Sequence, residues 1–167
     1  MGSLLDKARE AAATVTDPEL PMLTLEDLGV LREVAVLDDS RVEVTITPTY
    51  SGCPAMATMR DDLVARLHET GFADVSVKIS LHPAWTTDWI SDTGKEVLAR
   101  HGISPPGPAP HRSTRSVLSL LPTRRVVRCP QCGSDDVALT SEFGSTACKA
   151  MYRCRACLEP FDHIKEI

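Results

Sequence analysis

Two short cysteine pairs near the end of the sequence, Cys129-Pro130-Gln131-Cys132 and Cys154-Arg155-Ala156-Cys157, constrain this chain more than any other feature. Each pair presents two sulfurs from one tight turn, and the 21 residues between the pairs suffice for a hairpin that brings both turns around one tetrahedral ion. Four thiolates close the coordination sphere, so the spacing predicts a structural zinc ribbon over residues 129–167 and not a catalytic zinc with an open position. A rubredoxin-like iron uses the same four ligands and stands as the alternative ion. So short a segment buries too little apolar surface to fold unaided, and the ion must supply folding free energy on the order of 10 kcal/mol. A ribbon of this kind identifies a module and not a function.

With 167 residues in all, one ordinary domain fits ahead of the ribbon. Leu4–Thr14 has the composition of a helix, stopped by Asp17-Pro18 and Leu20-Pro21. Val30–Leu37 and Arg41–Thr47 alternate in hydrophobicity about the polar turn Asp38-Asp39-Ser40, which predicts an antiparallel hairpin. Met56, Met59, Leu63 and Leu67 then fall on one helical face, Val75–Leu81 supplies a third strand, and a second amphipathic helix is expected from Asp88 to Arg100, with Gly102 as its stop. The fold class predicted for residues 1–103 is a small α/β (α+β) domain with a three-stranded mixed sheet packed by helices.

From Ser104 the composition turns to Pro, Ser and Arg, and residues 104–128 read as a linker in which Val117–Leu121 docks locally. Arg112, Arg115, Arg124, Arg125 and Arg128 are there without one acid; they read as solvated linker charge, with contact to RNA or to an acidic partner as the alternative.

A formal net charge of -5 argues against binding duplex nucleic acid through the whole surface. No apolar run is long enough to span a bilayer, and the first helix is charged where a secretory signal is apolar, so a soluble cytoplasmic protein is expected. In a reducing compartment paired cysteines hold metal more often than they form disulfides. The phosphate-binding and dinucleotide-binding glycine motifs and the His-Glu-x-x-His motif are all absent from the sequence.

Cys53 lies between Gly52 and Pro54 ahead of the helical pattern. Proline suits the first helical position, which would put Cys53 at or beside the N-cap, where the helix dipole and free N–H groups favour a thiolate. The alternative is an inert thiol packed beneath the loop. His68 and His82 are the histidines available as a base for a nucleophilic Cys53. Subtracting the four ribbon cysteines leaves one further thiol, Cys148, open to three readings: a packed residue, an alternative ribbon ligand, or a partner for Cys53 in a labile iron or cluster site. Trp85 and Trp89 either cap the core or, with Asp17, form a surface for a client protein.

Asp17-Pro18-Glu19-Leu20-Pro21, Asp27-Leu28-Gly29, Thr47-Pro48-Thr49-Tyr50-Ser51-Gly52-Cys53-Pro54 and Pro83-Ala84-Trp85-Thr86-Thr87-Asp88-Trp89 together resemble the domain of iron–sulfur assembly factors of the SufT type. Phe143-Gly144-Ser145-Thr146-Ala147-Cys148-Lys149-Ala150-Met151-Tyr152-Arg153-Cys154 and the ribbon extend the resemblance to the PaaD family of phenylacetate degradation. The resemblance implies that Cys53 handles metal or cluster. It also implies a maturation factor for phenylacetyl-CoA epoxidase, a di-iron oxygenase fed by an iron–sulfur reductase, and not the oxygenating subunit. Either of those components is then the expected partner, and a homodimer is a further expectation. Two other readings stay open: a zinc-ribbon adaptor for protein or RNA without chemistry at Cys53, and a thiol-dependent enzyme with Cys53 as nucleophile.

Overall fold

The computed structural model describes residues 3–38, 41–50, 52–109 and 126–167. The chain divides into two compact units, Met1–Trp85 with Trp89–Gly94, and Thr86–Asp88 with Lys95–Ile167.

In the first unit, helix α1 (Leu4–Ala13) begins with a capping box in which Ser3 and Asp6 satisfy each other's backbone N–H groups. Strands β1 (Leu31–Asp38) and β2 (Arg41–Ile46) pair antiparallel, helix α2 (Met56–Glu69) follows, and β3 (Asp74–Ile79) pairs parallel with β2, giving the order β1-β2-β3. This is the mixed three-stranded sheet the alternating pattern predicts. Alternation along β2 buries Val42, Val44 and Ile46 completely and leaves Arg41 on the opposite, solvated side. Met59, Leu63 and Leu67 of α2, Ala8 and Ala12 of α1, and Leu23, Leu25 and Val30 from the segment between α1 and β1 are buried with them. Burying a Leu or Val side chain contributes about 1.5–3 kcal/mol, so these residues dominate the unit's stability.

The loops flanking this sheet explain several of the motif residues structurally. Asp17 is 5% exposed, and its Oδ1 accepts the N–H groups of Glu19 at 2.7 Å and Leu20 at 2.9 Å, an Asx turn that Pro18 favours. Asp27 accepts the Thr24 and Ser91 hydroxyls at 2.9 and 2.7 Å. Trp85 is also 5% exposed, its indole N–H donating to the Leu28 carbonyl at 2.9 Å. Gly29 has φ +70°, and a Cβ there would fall 2.5 Å from Cβ of Trp89. The Asp27-Leu28-Gly29 and Trp85–Trp89 motifs are therefore two halves of one packing arrangement. Helix α3 (Asp92–Arg100) starts later than the sequence pattern suggests, because Thr87–Trp89 forms a separate 3₁₀ turn.

The second unit holds a four-stranded sheet in the order β4-β7-β6-β5, made of β4 (Ile103–Ser104), β5 (Val137–Ser141), β6 (Lys149–Cys154) and β7 (Pro160–Ile164). β5, β6 and β7 form an antiparallel meander, and β4 adds to β7 in parallel. Composition alone puts the end of the first domain at 103 and the start of a linker at 104; in the structure Ile103 and Ser104 are strand residues of the second unit. Hydrogen bonds continue past them, from Gly107 N–H to Glu166 Oε1 at 3.1 Å and from Ala109 N–H to Asp88 Oδ1 at 2.9 Å. At the other end of the expected linker Val127 is buried with Cys129, Cys154 and Phe161. Val117–Leu121 and all the linker arginines except Arg128 lie outside the described residues.

A buried polar cluster anchors β4 to β7. His163 is fully buried, with Nδ1 3.2 Å from both the carbonyl and the hydroxyl of Ser104, and Nε2 3.3 Å from Glu166 Oε1. Burial pushes the Glu166 carboxyl up, but the His163 contact and backbone N–H groups, that of Gly107 among them, outweigh it and hold the group at about 2.

This packing makes two substitutions informative. Gly29→Ala should lower stability by at least about 2 kcal/mol, because the substitution meets both an unfavourable φ and a filled space; a urea midpoint equal to wild type would contradict it. Glu166→Gln should cost about 1–3 kcal/mol at neutral pH. A carboxyl held below its ordinary value stabilises the fold above that value, and the contribution fades as pH falls toward 2. The gap between wild type and Glu166→Gln, read by denaturant melts, should therefore close below about pH 4.

Candidate metal centre

The ribbon knuckles are built by backbone hydrogen bonds that turn each C-x-x-C back on itself. The Gly133 N–H reaches the Cys129 carbonyl at 2.9 Å and the Cys129 N–H reaches Ser134 at 2.9 Å; in the second knuckle the Cys154 N–H reaches Glu159 at 2.9 Å. Each knuckle needs a left-handed residue straight after its second cysteine. Gly133 takes this position at φ +75° and Leu158 at φ +68°, the glycine freely and the leucine at a cost of roughly 1–2 kcal/mol.

The four Sγ atoms of Cys129, Cys132, Cys154 and Cys157 all lie within 4.8 Å of one another. Cys129 and Cys157 are 3.6 Å apart and Cys132 and Cys154 3.5 Å. A tetrahedral zinc with Zn–S bonds of about 2.3 Å requires S–S edges of about 3.8 Å, so the cluster fits that ion with little adjustment. The sulfurs do not behave as independent thiols. Cys154 is drawn down to about 7, chiefly by the Cys157 N–H that donates to its sulfur. At Cys157 the Glu159 N–H favours the thiolate, but burial and the sulfurs of Cys154, Cys132 and Cys129 outweigh it and push the thiol up to about 12. Like charges crowded this closely ionise together only when a cation enters.

Cys53 lies in the other unit, in the loop joining β2 to α2. The expectation puts Cys53 at or beside the N-cap of α2; in the structure it lies two residues ahead of it. The Met56 N–H bonds the Cys53 carbonyl, three residues back, at 3.4 Å, and the N-cap is Ala55, which makes no side-chain cap. Pro54 lacks an N–H and fixes φ, so a tight turn forms first and the regular helix begins at Met56. Gly52 at φ +92° turns the chain into this loop. Cys53 is 8% exposed, in the loop that leaves the carboxyl end of β2, the end of a parallel strand pair at which open α/β sheets place their ligand sites. His68 is exposed near the far end of α2, with Nδ1 2.9 Å from the Phe72 carbonyl. A helix of 14 residues is about 21 Å long, which separates His68 from Cys53. His82 is exposed beyond β3, its carbonyl accepting the Ser80 hydroxyl at 2.7 Å.

Cys148 lies in the second unit, half-buried, with Sγ 3.0 Å from the Thr146 hydroxyl, and it is not among the four clustered sulfurs. Of the two readings open for Asp17, Trp85 and Trp89, packing within the fold is the one that burial favours for the first two. Asp17 and Trp85 are buried with their polar atoms engaged inside the fold, and only Trp89 remains half-exposed, with the Arg32 guanidinium 3.7 Å above its ring. The His163–Glu166–Ser104 cluster and the buried Lys149 are invisible in the sequence, because isolated polar residues carry no periodic signal.

Residues 5–81 match the family described as iron–sulfur cluster assembly protein, and residues 113–165 match the PaaD zinc beta ribbon domain. A subunit of the "Putative 1,2-phenylacetyl-CoA epoxidase" of Escherichia coli (strain K12) is 47% identical over 151 residues, covering 90% of this chain and 86% of the relative. An "Fe-S protein maturation auxiliary factor" of Porphyromonas gingivalis is 34% identical over 80 residues, 47% of this chain and 75% of that one. A crystal structure of the DUF59 domain from Bacillus anthracis superposes with a TM-score of 0.52 at 24% identity, covering 56% of this chain and 90% of that chain, which supports the fold of the first unit.

Because four thiols must lose their protons to bind the ion, zinc affinity should fall steeply as pH drops from 8 to 5, in contrast to a carboxylate site; chelator competition across that range measures it. One zinc per chain with pH-independent affinity would contradict the four-thiolate assignment.

Proposed function

The chain belongs to the PaaD family, in which an iron–sulfur assembly domain precedes a zinc ribbon, and from that premise we propose that it is an accessory maturation factor of a phenylacetyl-CoA epoxidase system. Its cargo in this reading is iron or an iron–sulfur cluster, held transiently by Cys53 and passed to another subunit. The iron–sulfur reductase and the di-iron oxygenase component are the clients that the family resemblance suggests. The zinc held by Cys129, Cys132, Cys154 and Cys157 is structural, since four sulfurs leave no coordination position for a reacting group.

The observation that carries this reading is the position of Cys53. One thiol sits in the loop that leaves the carboxyl end of the parallel strand β2, sheltered from solvent, in the part of the chain that matches the assembly family. A single protein thiolate binds iron weakly compared with four, which suits a carrier that must release what it holds. The remaining ligands come from a second copy of the chain or from the client. Among the described residues the ribbon cysteines are the one group of three or more His, Cys, Asp or Glu gathered closely enough to hold a metal; a di-iron oxygenase needs carboxylate–histidine clusters on facing helices.

The burial of Cys53 also favours a second reading, an adaptor in which this thiol only packs. Replacement of Cys53 by Ser in cells that depend on the epoxidase separates the two. The maturation reading expects the variant to accumulate and keep its zinc while epoxidase activity and the iron content of the client fall to background. Wild-type activity with Cys53→Ser would sink that reading and leave the adaptor.

A further inference from the structure

Lys149, the first residue of β6, is 6% exposed. Among the described residues its Nζ has one partner, the Ser145 hydroxyl at 3.3 Å. Among the described residues no carboxylate lies within ion-pairing distance of that Nζ, although lysines this deeply buried are normally paired. Asp162 on β7 sits beside Gly144, its Oδ1 3.3 Å from where a Cβ on that glycine would be, without reaching Nζ. Outside the described parts, residues 110–125 contain no Asp or Glu, and the single acid there, Asp39, belongs to the first unit.

The loop around Lys149 has a surplus of donors. It is closed at its base by the Gly144 N–H to the Lys149 carbonyl at 2.8 Å, with the Lys149 N–H bonding Thr146 at 3.2 Å. Between these bonds the N–H groups of Ser145, Thr146, Ala147 and Cys148 find no acceptor among the described residues. Lys165 puts a second ammonium beside the start of this loop, its Nζ donating to the Glu142 carbonyl at 3.0 Å. A buried ammonium with unused hydrogens, a hydroxyl already turned to it, and successive unpaired backbone N–H groups are the elements of an anion-binding loop.

We propose that the loop Gly144–Lys149 is a binding site for a phosphate-type oxyanion, with the Lys149 ammonium and Ser145 hydroxyl as its side-chain ligands. The class follows from donor number. Two Nζ hydrogens, one hydroxyl and up to four N–H groups exceed what the two oxygens of a carboxylate accept in one geometry, whereas a tetrahedral phosphate offers an oxygen on every side. The site lies in the second unit and does not depend on cargo at Cys53.

The test is a titration of the zinc-loaded full chain with inorganic phosphate at constant ionic strength, read by backbone amide resonances. The proposal expects saturable shifts confined to residues near 144–149, affinity lowered roughly tenfold or more in Lys149→Met, and affinity largely kept in Lys149→Arg. Ser145→Ala, at an exposed position, should weaken binding severalfold and decides the matter if Lys149→Met does not fold. Shifts that do not saturate, equal binding by both neutral variants, or saturation by acetate at the same concentration would each overturn it.

Discussion

The parallel pairing of β2 with β3 is the constraint on which the first unit depends. Parallel neighbours cannot be joined by a tight turn, so the chain must leave β2, cross over through a helix and return. α2 is that crossover, and its buried Met59, Leu63 and Leu67 fix it in the core. The loop that starts the crossover is thereby held at the carboxyl end of β2, next to the carboxyl end of β3, which the Ser80 N–H ties back to the Ile46 carbonyl at 2.9 Å. Cys53 sits in that loop. Its setting is a product of the topology more than of any local helix cap.

The ribbon solves a different problem. Its apolar core consists of Val127, Cys129, Cys154 and Phe161 with Val137 and Tyr152 packed against them, so two of its core residues are themselves metal ligands. An ion that draws in these sulfurs also closes the core, and metal binding and folding become one event. The meander then offers β7 as an edge on which β4 pairs, and there the buried His163 stands between Ser104, 3.2 Å from its Nδ1, and Glu166, 3.3 Å from its Nε2. In this way chain segments that read as linker acquire fixed partners.

Much of the architecture is legible in the sequence. Alternating apolar residues mark β1 and β2, the spacing of Met59, Leu63 and Leu67 marks α2, and the C-x-x-C pairs mark the four-sulfur cluster. Where expectation and structure part, the deciding partner is distant or the local preference is shared by two conformations. Proline favours the first helical turn and so points to Cys53 as an N-cap, but the i+3 turn that forms there has the same local sequence preference. Polar and aromatic loop residues such as Asp17 and Trp85 suggest a recognition surface; their partners, a pair of backbone N–H groups and a distant carbonyl, emerge only once the loops fold back on the sheet. Ile103 and Ser104 carry no strand signal because two residues cannot display a period, and their pairing is decided by β7.

Transient ligation by Cys53 is the central claim, and binding itself is its most direct test. Wild type and Cys53→Ser, each with one zinc, would be supplied anaerobically with iron and sulfide, re-isolated, and compared by metal analysis, absorption and Mössbauer spectroscopy. A carrier role predicts iron beyond the zinc, with a sulfide-dependent chromophore, in wild type alone. The same single zinc and no chromophore in both proteins would contradict direct carriage by Cys53.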